Sequence, residues 1–169
     1  REIRDRAKQG EFKTVVLDST TTMSDCAMER ALQLDPKRSA TDGPLWNVHY
    51  QHVRNLMEPK LRAFTNWPCN LVMIAHLQVI QDQETGAIIG MGPLLTGQLS
   101  TRVPGYFGEV YCFFTKTVKG EVKYYIRTVP RGHYKARSRL SGAKRLLHDE
   151  IPNHYEAVRQ SYQKKMEEL

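Results

Sequence analysis

The stretch at residues 14–20, TVVLDST, decides how this chain is read. The apolar and β-branched run from Phe12 to Leu17 predicts a short strand buried on both faces. It ends in Asp18, followed by the hydroxyl residues Ser19, Thr20, Thr21 and Thr22. Ligands of open α/β sheets bind at the carboxyl ends of the strands. Asp18 would therefore stand where a carboxylate can hold Mg²⁺ bridging nucleotide phosphates. The alternative is a strand-end aspartate that caps the following turn.

Outward from that strand, helices and strands alternate. Residues 1–9 are helix-compatible and Gly10 stops them. Ser24 or Asp25 is a candidate cap for a helix through Ala27, Met28, Ala31 and Leu32. Residues 35–44 read as a loop, and residues 46–63 as an amphipathic helix that Pro59 should kink or divide. A second buried strand covers residues 69–75 and delivers His76, a side chain able to orient water or donate to phosphate. The plainer reading of His76 is a satisfied strand-end histidine. Residues 78–106, with seven Gly or Pro, read as a long loop. Residues 109–117 and 122–129 alternate and join across Lys119-Gly120 as a hairpin, and residues 151–169 read as a polar helix. This order predicts a layered α/β domain over residues 1–150. Its sheet is expected to be largely parallel, extended by a C-terminal antiparallel hairpin and followed by a 151–169 tail.

Charge is unevenly placed. The chain of 169 residues has a net charge of +7, yet residues 116–145 alone carry ten Lys/Arg against one acid, Glu121. Such a block points to phosphate contact or to a solvated basic face. Within it, Lys135, Arg137 and Arg139 alternate, so an extended backbone would turn all three to one side. Cations so fixed can stabilise charge on a phosphoryl group, or simply line a nucleic-acid backbone. Three dispersed cysteines give no CxxC pair and read as reduced thiols of a cytoplasmic protein. No apolar run is long enough to span a bilayer, so no membrane association is expected.

Taken together and in order, VVLDSTT, WNVHYQHV, LVMIAHLQ, GPLLTGQLSTRVPGYFGEVYCF and IRTVPRGHYKARSRL resemble the phage-type RecA-like nucleotide-binding proteins. That P-loop NTPase group includes single-strand-annealing ATPases. The resemblance covers about residues 10–140. It implies a three-layer RecA-like core that hydrolyses ATP with Mg²⁺, self-associates as a ring or filament, and works on single-stranded DNA in the host cytoplasm. By motif match Asp18 is the Mg²⁺-site carboxylate of a Walker B strand, with Ser19 and Thr20 beside it, and His76 is the γ-phosphate sensor. Residues 78–103 match the DNA-facing loop. Lys135 and Arg137 match the pair that reaches a neighbouring subunit's γ-phosphate, with Arg139 as second choice. For nucleic acid the expected contacts are Arg102, Tyr106, Lys116, Lys119, Lys123, Arg127 and Arg139, joined by Lys144 and Arg145.

The sequence departs from that group in one respect. GxxxxGK[ST] occurs nowhere in it, and without that loop tight ATP binding is compromised. The chain is therefore expected to be the C-terminal part of a longer ATPase, its core incomplete at the N-terminus with an edge that another segment must cover. Two other classes stay open: a non-enzymatic nucleic-acid-binding module, and an assembly protein that keeps the fold without the chemistry.

Overall fold

Alternation along the first apolar run puts its side chains on two sides of a ribbon. The computed structural model describes residues 2–140 and 147–167. In it β1 (Thr14–Leu17) pairs in parallel with β2 (Asn70–Met73), with Thr14 opposite Asn70 and Leu17 opposite Met73. Val15, Leu17, Leu71 and Met73 are half-buried, whereas Val16, Val72 and Ile74 are exposed. The ribbon is thus covered on one side and not on both. An uninterrupted apolar run cannot say which of its two sides is packed, and here the packed side is the one holding Leu17 and Met73.

The chain divides into two compact units, Arg1–Gln78 with Pro93–Tyr106, and Val79–Gly92 with Phe107–Leu169. The first holds α1 (Glu2–Lys8), the β1–β2 ribbon, α2 (Thr20–Leu34), α3 (His49–Thr65), a short α4 (Leu99–Arg102) and a 3-10 turn over Val103–Tyr106. Helix α2 starts earlier than a Ser24 or Asp25 cap would have it. Its N-cap is Ser19, whose hydroxyl accepts from the Thr22 N–H at 3.2 Å. Along α3 the buried residues His49, Val53, Met57 and Leu61 recur every fourth position, a single stripe. The stripe packs against α2, whose buried face is small: Thr20, Ser24, Ala27 and Ala31. Pro59 lies inside α3 without dividing it. His49 is fully buried and bonded at both ring nitrogens. Nδ1 accepts from the Leu45 N–H at 2.7 Å and Nε2 faces the Asp35 carbonyl at 2.9 Å. That pins the 35–45 loop to the start of α3.

Residues 78–106, expected to be a loop, contain regular structure. β3 (Leu77–Gln81) pairs with β4 (Ile88–Pro93), and α4 and the 3-10 turn follow. Gly90 and Gly92 look like loop residues yet lie within the strand, and Gly90 is closely approached there. A Cβ on Gly90 would lie 3.1 Å from Lys135 Cε.

The second unit is mainly antiparallel. β6 (Cys112–Val118) and β7 (Glu121–Arg127) form the expected hairpin, with Lys119 at φ +53° and Gly120 at φ +83°. Two successive positive φ angles are those of a type I′ turn. β9 (Glu150–Pro152) adds to β7, and α5 (Tyr155–Glu167) packs on β9. β5 (Glu109–Val110) pairs with β8 (Arg137–Ser138). Ile126, Leu147 and Ile151 are buried here. Ile151 and Pro152 therefore belong to a strand and not to the C-terminal helix. The chain is a mixed α/β protein with small sheets. Among the described residues no helix is long and apolar enough to cross a membrane.

Candidate functional site

Parallel pairing brings the carboxyl ends of β1 and β2 to one edge, with Asp18 beyond the first strand and His76 three residues beyond the second. Both are exposed. Their backbones are tied together by the first turn of α2. The Thr20 N–H and hydroxyl each donate to the Ile74 carbonyl at 2.8 Å. The Thr21 hydroxyl donates to the Leu94 carbonyl at 2.9 Å and accepts from the His76 N–H at 3.0 Å. The Leu94 N–H closes the knot by donating to the His76 carbonyl at 2.7 Å. The Asp18–Ser19 peptide is cis.

Thr21 ties the backbone at His76 to that at Leu94, a link that sequence reading passed over. The run of four hydroxyl residues after Asp18 was its signal. Thr20, named as a nucleotide contact, is 2% exposed with its hydroxyl engaged by Ile74, and the Ser19 hydroxyl caps α2. Asp18 is thus the exposed carboxylate at this edge. The donor chemistry fits Mg²⁺, which takes one or two carboxylates and completes its shell with water and phosphate. Among the described residues no group of three or more His, Cys, Asp or Glu could hold a metal by itself.

The basic residues fall into three sets. Lys135, Arg137 and Arg139 are exposed and alternate with buried Ala136 and half-buried Ser138, as an extended segment requires. Arg137 Nη2 donates to the Phe107 carbonyl at 2.6 Å, and Arg139 lies along Gly108. Lys119 and Lys123 are exposed on the β6–β7 hairpin, Lys123 at 3.9 Å from Glu121. Lys116 and Arg127 instead converge on Glu150. Lys116 Nζ pairs with its Oε2, Arg127 Nη2 lies 2.9 Å from its Oε1, and Arg131 Nη1 lies 3.6 Å away. Arg127 also stacks on Phe114 and Tyr134, and its buried Nε has no partner among the described residues. Lys144 and Arg145 lie outside the described residues.

Arg102 and Tyr106 form a comparable cluster in the first unit. The Tyr106 hydroxyl donates to Glu58, Arg102 Nη2 and Arg62 Nη2 each lie 3.0 Å from the same carboxylate oxygen, and Arg62 stacks over the Tyr106 ring. The Tyr106 hydrogen bond, then the two guanidinium groups, hold the Glu58 carboxyl below the usual carboxylate range. Glu150 is lowered in the same way, first by Lys116 and then by Arg127 and Arg131. Neither acid was singled out from sequence. For Glu58 the Arg62 four residues on was a readable signal, whereas the partners of Glu150 are mostly distant in sequence.

A family model described as an AAA domain matches residues 2–140. The chain belongs to that family, which is one of AAA-type P-loop NTPases using ATP and usually Mg²⁺. No curated protein and no solved structure matches it.

Proposed function

We propose that this chain is a phage-type, RecA-like ATPase that acts in DNA recombination or annealing, with the Asp18–His76 edge as its catalytic side. The observation that carries the reading is that edge: a carboxylate and an imidazole at the ends of adjacent parallel strands, tied by the Thr20 and Thr21 hydroxyls. Bound Mg²⁺ would supply charge neutralisation at the phosphates. Asp18 would hold the cation and its water, and His76 would orient the attacking water or donate to the transferred phosphoryl group. Thr21 would keep His76 at its distance from α2. Lys135 and Arg137 would reach the nucleotide of a neighbouring subunit in a ring or filament, where fixed cations lower the cost of transition-state charge. Single-stranded DNA would follow the exposed cations, with Lys119, Lys123 and Arg139 as the freest contributors, and Arg102 and Tyr106 once they leave Glu58. Lys116 and Arg127 would act chiefly through the sheet they hold together.

In the protein encoded by the whole reading frame, Asp18→Asn is expected to abolish DNA-stimulated ATP hydrolysis. His76→Ala should lower turnover by about 10²-fold or more. Unchanged turnover in Asp18→Asn overturns the assignment. A second reading is favoured by the basic block at 116–145, ten Lys/Arg against one acid. In it the chain binds nucleic acid without hydrolysis. That reading expects nucleotide-independent DNA binding that weakens steeply with salt.

A further inference from the structure

One cleft of the first unit lies among residues that the reading above leaves unused. It has a volume of about 280 Å³ and is lined by the start of α3 and by the segment just before α4. Trp46, Tyr50 and Arg54 stand four residues apart and share one side of this stretch. Trp46 is 68% exposed, and its ring leans on Tyr50 with centroids 4.5 Å apart and planes inclined by 40°. An indole that large is normally largely buried. The opposite wall is Thr96, Gly97 and Gln98.

Several features fix this wall and the ring it faces. The Thr96 N–H and hydroxyl both meet Ser24 Oγ on α2, at 3.3 and 3.1 Å. Gly97 has φ +59°, and a Cβ there would lie 3.1 Å from Tyr50 Cδ1. The chain passes flat against the Tyr50 ring only because that residue is glycine. His49 anchors Leu45, the residue before Trp46, through its Nδ1. The Tyr50 ring is thus held from below while the Trp46 face stays open.

The lining chemistry narrows the ligand. Among the described residues it holds one charged side chain, Arg54, and no acid, so it does not suit a cation. Arg54 takes part in no ion pair among the described residues. The rim offers side-chain amides, donors and acceptors both, from Asn47, Gln51 and Gln98, which does not suit an apolar peptide segment. An open aromatic face, amides around it, a free guanidinium one helical turn beyond Tyr50 and room at the small end of ligand-site volumes match one ring system with a phosphate attached.

We propose that the Trp46–Tyr50 cleft is a nucleobase site. One base stacks on the open Trp46 face, its edge meets the amides, and Arg54 takes the adjoining phosphate. The base can come from a single strand or from a free nucleotide. The single-strand source rests on the nucleic-acid half of the function proposed above, and neither source rests on hydrolysis.

Trp46 and Trp67 are the two tryptophans of the chain, so Trp67→Phe leaves Trp46 as the sole indole fluorophore. Fluorescence of that variant is titrated with oligodeoxythymidylate, with an abasic oligonucleotide of equal length, and with ATP. Quenching by the base-bearing strand and not by the abasic one supports the site with a single strand as source. Quenching by ATP alone supports it with a free nucleotide as source. No quenching by either, or equal quenching by the abasic strand, overturns it. In the otherwise unaltered chain, Trp46→Ala is expected to weaken binding of the quenching ligand roughly ten-fold or more, while Trp46→Phe retains most of it. Arg54→Gln should reduce the salt dependence of strand binding by about one phosphate contact. Affinity unchanged in Trp46→Ala, with the variant still folded by circular dichroism, overturns the proposal. Asp18→Asn separates the two readings, since it removes hydrolysis and should leave Trp46 quenching intact.

Discussion

Glu58 and Glu150 each gather cations around one carboxylate, yet the surroundings of those cations differ. Around Glu58 the guanidinium groups face water: Arg62 is 58% and Arg102 42% exposed at the side chain. Around Glu150, Lys116 and Arg131 also face water, but Arg127 is 10% exposed, lies against two aromatic rings, and among the described residues its Nε has no partner. Released cations of the first kind simply rehydrate. A released Arg127 would remain buried as an unpaired charge, which is costly. The first cluster is therefore a contact that can open, and the second is part of the sheet. Water can take up Arg62 and Arg102 when Glu58 is removed, whereas Arg127 has no comparable replacement open to it.

Removal of each acid tests that difference. Glu150→Ala is expected to destabilise the chain by about 3 kcal/mol, as breaking a buried pair does. Urea unfolding would measure it, and a loss under 1 kcal/mol would mean that Arg127 rehydrates as easily as Arg62. Glu58→Ala should cost less, about 1–2 kcal/mol, mostly the charged hydrogen bond from Tyr106. A Glu58→Ala loss equal to that of Glu150→Ala removes the contrast. Acid titration distinguishes the two further. Both carboxyls have lower pKa values folded than the ordinary 4.5, so the folded chain binds fewer protons. Their stabilisation is complete above about pH 4.5 and is lost as pH falls through the folded values. Thermal melts from pH 6 to pH 3 should show that decline, and each alanine variant should flatten its share of it. The smallest effect belongs to Lys119, which lies in neither cluster. Lys119→Gly relieves a positive φ and should stabilise by roughly 0.5–1 kcal/mol, readable as a slightly raised urea midpoint.

Legibility from sequence followed the range of the interactions. The β6–β7 hairpin was plain because a two-residue turn and alternation are local. β1 and β2 were plain as apolar runs, and Asp18 and His76 as the polar residues that end them. The start of α2 was hidden because Thr20, Thr21 and Thr22 are weak helix formers. Bonds from Thr20 to Ile74 and from Thr21 to Leu94 override that weakness. β4 was hidden by Gly90 and Gly92, of which Gly90 meets the close approach of Lys135. β9 is three residues long and exists through its pairing with β7. The Trp46 cleft was read as one face of an amphipathic helix. Periodicity marks an apolar position but does not say whether anything covers it.

The Thr21 hydroxyl has a mechanical consequence. One oxygen joins the first turn of α2 to the backbone at His76 and at Leu94, and one turn later Ser24 holds Thr96. A small tilt of α2 cannot leave any of these behind. The helix acts as a crankshaft with two journals on the same face, so a displacement at the strand ends arrives at residues 94–96 with the same phase and little slack. Thr21→Val and Ser24→Ala would disengage the journals one at a time without altering the helix between them.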